Sequence, residues 1–116
     1  MTRLIVIYNK FNIITVPFPF TDRDKKKLRP ALVISNTEYQ EINKHIVLLM
    51  VTSAKHSTWK YDIPITYLEN AGLKAASVIR FKMFSVDERV IVKKIGSLSL
   101  IDSEQVGEAI KNIFLI

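Results

Sequence analysis

The sequence predicts a mainly β fold with short α-helices, built as a small, strongly bent barrel or sandwich. Three observations lead there. Segments rich in Ile, Val and aromatic residues dominate the chain, and most are bounded by polar, Gly or Pro turn material. The central run "IVLLMV" lacks polar alternation, which suits a strand covered on both faces. The chain then closes on an amphipathic helix.

In order along the chain, "RLIVIY" reads as a further strand or an ordered arm, and "NIITV" (Asn12–Val16) as the first clear strand. Strands follow at "ALVIS" (Ala31–Ser35), "HIVLLMVTS" (His45–Ser53), "KYDIPI" (Lys60–Ile65), "SVIRF" (Ser77–Phe81) and "VIVKKIGSL" (Val90–Leu98). Pro17 and Pro19 interrupt the extension of the first strand. Proline cannot donate to a ladder, so these belong where a strand leaves the barrel. Between strands, "TEYQEINK" predicts a helix from Thr37, with Gln40 completing a capping-box pattern. The final "DSEQVGEAIKNIFLI" predicts a helix capped by Asp102. Its stripe of Val106, Ala109, Ile110, Ile113 and Phe114 is read as core packing.

With 116 residues, 48% of them apolar, residues 1–116 are read as a single domain that needs no disulfide or metal to hold a core. There is no cysteine, which removes disulfide, thiolate and cysteine-bound zinc chemistry. The apolar run Leu4–Tyr8 is too short for a signal-peptide core or a bilayer span, so the chain reads as soluble, cytoplasmic and unattached to a membrane. A formal charge of +6 and an isoelectric point near 9.7 favour a polyanionic partner.

That charge is concentrated. From Asp22 to Pro30, five cations (Arg23, Lys25, Lys26, Lys27 and Arg29) face two carboxylates, leaving half of the chain's net charge on one loop. Lys25, Lys26 and Lys27 suit a sequence-independent collar on a phosphate backbone, or simply a solvated hairpin loop. Arg29, where the loop meets a strand, suits stabilisation of charge on a phosphate, because its planar fork matches phosphate oxygens. A surface ion pair with Asp22 or Asp24 is the plainer alternative. Thr52 and Ser53 end a buried-looking strand with two hydroxyls, able to bind a phosphate or cap a turn. His56 is a candidate acid or base in a polar loop, and Trp59 or Tyr61 a candidate stacking surface; His45 reads as structural. Two histidines without a carboxylate pattern make a poor metal site, and no metal or other cofactor is expected.

"FNIITVPFPFTD", "RPALVIS", "MVTS", "GLKAASVIRF" and "VDERVIVKKIGSLS", taken in this order, resemble the MazF/PemK toxin family of mRNA interferases. The resemblance implies an SH3-like barrel of the MazF/CcdB type with a C-terminal helix. It further implies a homodimeric toxin of a type II toxin-antitoxin system, acting as a metal-independent, ribosome-independent endoribonuclease. The implied substrate is single-stranded RNA or mRNA cut at a short sequence, and the implied partner a cognate antitoxin. Carried over by position, Arg29 and Thr52 are catalytic, with Ser53 beside Thr52 and the segment from Asp22 to Leu28 closing over substrate. His56, Arg80 and Lys82 join Asp22 and the lysines as RNA-binding residues. Lys82 stands where related chains carry an acid two residues after an arginine. That departure keeps open an alternative: a non-catalytic barrel that binds RNA or a protein target such as gyrase.

Overall fold

The computed structural model describes residues 4–18, 27–55 and 58–115. Within them lies one curled sheet of six strands: β1 (Asn12–Phe18), β2 (Lys27–Val33), β3 (His45–Ser53), β4 (Ile63–Pro64), β5 (Ser77–Asp87) and β6 (Lys93–Ser97). Their order across the sheet is β4-β5-β3-β2-β1-β6, and every pairing is antiparallel. Helix α1 (Thr37–Asn43) joins β2 to β3, and α2 (Leu100–Phe114) follows β6.

Each face of the sheet carries a buried core, as the unbroken apolar run of β3 requires. Ile13, Leu32, Leu49, Val51 and Ile79 point to one face, where Val106 and Ala109 of α2 join them. Ile110 and Ile113 pack against the same cluster, whereas Phe114, expected in the stripe, is half exposed. Ile14, Val16, Ala31, Val33, Ile46 and Leu48 point to the other face, under Tyr8 and Ile91. Successive side chains of a strand alternate in this way, so one β3 run feeds both cores.

The expected elements hold with shifted bounds. β3 matches residue for residue, and β5 continues six residues beyond Phe81. "KYDIPI" shortens to the two residues of β4, and the start of "VIVKKIGSL" belongs to a 3-10 turn at Glu88–Val90. Residues 4–8 form no regular element. They are an arm, fastened where the Tyr8 amide donates to Gln40 Oε1 (2.9 Å) and Gln40 Nε2 donates to the Val6 carbonyl (2.9 Å). Gln40 therefore does not close a capping box. The N-cap of α1 is Asn36, whose side chain accepts the Tyr39 amide. The cap of α2 is likewise Ser99 rather than Asp102. Asp102 is fully buried and accepts the Thr66 and Tyr67 amides, tying the helix to the chain after β4.

"KKIG" has a steric reason. A side chain on Gly96 would drive its Cβ into the backbone of Asn70 and Ala71, 2.6 Å from the Asn70 carbonyl oxygen, which also accepts the Ser97 amide.

Candidate active site

Prolines set the geometry. Thr15 directs its backbone towards the β6 side, since its carbonyl accepts the Val92 amide; Pro17, two residues on, faces the same way. Pairing with β6 has already ended at Thr15↔Lys93, so the missing N–H of Pro17 breaks no ladder. Pro30 acts on the other seam. Ile34 donates to Val47 across the β2–β3 seam, and Pro30, four residues earlier, points to that seam without an N–H. The β2–β3 ladder ends at Ala31↔Met50.

Continuing that register sets Arg29 opposite Thr52 on the sheet face that carries Ala31 and Val33. Arg29 also pairs with Val16, and Thr52 with Val78, giving a row across four strands: Val16, Arg29, Thr52, Val78. Val16 still belongs to the core of this face, whereas Arg29 is exposed and Thr52 and Val78 are partly buried. Arg29 is exposed and makes no ion pair among the described residues. Thr52 and Ser53 are partly buried at the end of β3, where Ser53 Oγ accepts the Lys55 amide.

Arg80 lies one row below, paired with Met50. Its Nε and Nη2 donate to Asp62 Oδ1 and Oδ2 at 3.1 and 2.8 Å, and both side chains are about nine-tenths buried. This bond and the guanidinium charge hold the Asp62 carboxyl below the usual carboxylate range and raise Arg80 in turn. The Arg80 Cζ sits 5.1 Å from the centroid of the Trp59 ring. Ser53, Thr58, Trp59, Asp62, Val78 and Arg80 line a cavity of about 250 Å³. Sequence reading passed over Asp62. The signal is an acid just before a short strand, but it becomes legible only when the β4–β5 register places it opposite Arg80.

Lys82 does not share this cavity. The β3–β5 register shifts between Leu49 and Met50, so Phe81 and Lys82 bulge from β5. The Lys82 ammonium lies 5.8 Å from the Phe18 ring centroid, beside the β1–β2 hairpin whose last pair is Phe18↔Lys27. Lys27 and Lys82 thus flank the mouth of the basic loop. Asp22, Lys25, Lys26 and His56, also expected at the site, lie outside the described residues.

Residues 9–114 match the model of the family described as PemK-like, MazF-like toxin of type II toxin-antitoxin system. The chain belongs to that family. Among solved structures, this PemK/MazF-family chain is similar to MazF of Deinococcus radiodurans at 16% identity and TM-score 0.73, covering 96% of this chain and 99% of that one. It is similar to a MazE-MazF structure from the same organism at 15% identity and TM-score 0.76, with the same two coverages. A third likeness is to an endoribonuclease in complex with its cognate antitoxin from a mycobacterial species, at 8% identity and TM-score 0.72, covering 95% of each chain. At these identities the likeness is one of fold. No curated protein matches the sequence. No helix among the described residues is long and apolar enough to cross a membrane.

Proposed function

We propose that this PemK/MazF-family toxin is a metal-independent, ribosome-independent endoribonuclease that cuts single-stranded RNA, mRNA included, at a short sequence. It works in the cytoplasm as a homodimer and is restrained by a cognate antitoxin. The observation that carries the reading is the placement of Arg29 opposite Thr52 where Pro30 ends the β2–β3 ladder. A cation with no ion-pair partner among the described residues and a hydroxyl, each two residues beyond the last β2–β3 pair on the same sheet face, suit one phosphate.

In the reaction, the 2′-oxygen forms a bond to phosphorus as the bond from phosphorus to the 5′-oxygen breaks. The products are a 2′,3′-cyclic phosphate and a 5′-hydroxyl. Arg29 offsets the negative charge that grows on the non-bridging oxygens, and the Thr52 hydroxyl hydrogen-bonds the reacting group. The 2′-proton passes to a base and the 5′-oxygen takes one from an acid. Lys27 and Lys82 hold flanking phosphates.

The test incubates the protein and its Arg29→Ala variant with long mixed-sequence RNA in EDTA and determines the fragment ends. Discrete fragments with cyclic-phosphate and 5′-hydroxyl ends, made by the native chain alone, are expected. Fragments with 5′-phosphates would refute 2′-attack. Binding without cleavage would favour the non-catalytic alternative, for which Lys82 speaks; inhibition of gyrase with RNA left intact would direct that alternative to a protein target.

A further inference from the structure

The cavity beside Arg80 has the wrong charge for a phosphate and the right walls for a ring. Its carboxylate, Asp62, repels an anion, and the guanidinium that would attract one has Nε and Nη2 engaged by that carboxylate. Trp59 is 46% exposed, while Arg80 lies against its ring. We propose that this cavity is a nucleobase subsite, in which one unpaired base of the bound RNA stacks on Trp59. The proposal rests on the RNA reading above and deepens it.

Three features support it. The platform is fixed in advance: Asp62 accepts the Trp59 amide (2.9 Å), donates its own amide to the Trp59 carbonyl (3.1 Å) and clamps Arg80 against the ring. Closing that turn holds Tyr61 at φ 75°, a conformation a non-glycine residue adopts at some cost. A cavity of about 250 Å³ is smaller than the roughly 300–1,000 Å³ of drug-sized ligand sites, and suits one planar heterocycle. Ser53 and Thr58 line it, and their hydroxyls can each donate or accept at the edge of a base. The position is also apt. Val78 belongs both to the cavity and to the row of Arg29 and Thr52. Strands lie about 4.8 Å apart, so Arg29 and the cavity wall are separated by roughly 10 Å, the scale of neighbouring nucleotides in an extended strand. Phosphate at Arg29 and base at Trp59 are then parts of one bound strand. Tyr61, by contrast, lies outside the lining, with Lys60 5.5 Å from its ring centroid.

Trp59 is the only tryptophan, so its emission reports on this cavity alone. The probes are 2′-fluoro RNA hexamers of A, C, G or U, which lack the attacking hydroxyl, and an abasic strand of the same length and charge. Anisotropy of labelled strands reads binding; quenching of Trp59 emission and its access to acrylamide, measured with unlabelled strands, read the subsite. At least one base-bearing strand is expected to quench and shield Trp59, while the abasic strand binds more weakly by roughly 5- to 150-fold, the worth of one stacked base. Trp59→Leu, checked for fold by circular dichroism, is expected to lower affinity for that strand to the abasic level and leave abasic binding unchanged; Trp59→Phe retains part of the difference. Binding with unaltered Trp59 emission and acrylamide access, or native affinity in Trp59→Leu, would overturn the subsite and leave the ribonuclease reading standing. No binding of any strand by the native chain would remove both.

Discussion

Pro30 does what no side chain does: it withholds a hydrogen bond. Val51 is its counterpart in the continued β2–β3 register, and replacing Pro30 by Ala would aim an N–H at that carbonyl. One backbone bond contributes about 1 kcal/mol net, and loss of the proline's restraint on the unfolded chain removes about 0.4–1 kcal/mol. We therefore expect Pro30→Ala to change urea stability by less than about 1 kcal/mol, to show new exchange protection at residue 30, and to cleave RNA more slowly as Arg29 and Thr52 are drawn into the sheet. Unchanged cleavage together with the new protection would show that the open seam is not needed. The "RP" pair was visible in the sequence; the seam was not, because which neighbour a proline faces depends on pairings between distant segments.

At the scale of elements, caps and straps are where local pattern misleads. Thr37 and Gln40 have the spacing of a capping box, but Gln40 is buried and its amide serves the arm and Glu88 instead. A long-range partner wins because the Tyr8 amide is buried and must be satisfied. Gln40→Ala is expected to cost about 1–3 kcal/mol by orphaning that amide, with amide exchange in the arm rising first. Asn36→Ala, which removes only the cap of α1, is expected to cost about 1 kcal/mol in urea unfolding and leave the arm protected. Asp102 repeats the lesson: helical spacing marks it as a cap, whereas its bonds run to Thr66 and Tyr67. The strands were more legible than the caps, since apolar runs of the length of β3 leave few choices.

Over the whole molecule, the acids decide how stability responds to pH. Asp62 and Asp87 are both held below their ordinary range, by hydrogen bonds from Arg80 and Arg89 respectively. A carboxyl with a lowered folded value binds fewer protons folded than unfolded through that window. Its stabilisation is therefore complete above about pH 4 and drains away as pH falls through the folded value. Urea unfolding at stepped pH should show the native chain losing stability below about pH 4, and Asp62→Asn losing less over the same interval. An identical acid slope in the variant would mean that Asp62 titrates alike in the folded and unfolded chain, and that its bond to Arg80 adds nothing to the pH response. RNA binding belongs to this scale too. With Lys27, Arg29 and Lys82 around one face, the plot of log affinity against log salt is expected to be steep, and Lys82→Ala to flatten it by about 0.7, the single-strand value for one phosphate contact.

The brevity of β4 bears on how a peptide can attach to this sheet. An extended segment joins a sheet by prolonging an edge ladder. At one edge β4 covers β5 only at Val78 and Ile79, and it ends in Pro64, which has no N–H to lend. At the other, the Asn70 carbonyl already takes the Ser97 amide, and Lys93 and Lys94 bring exposed charge to the remaining length. Strand addition is thereby discouraged along β4 and β6, whereas β5 beyond Ile79 has no strand on that side among the described residues. The length of edge left for an extended segment to prolong is therefore β5 from Arg80 onward, beside the cavity that Arg80 lines.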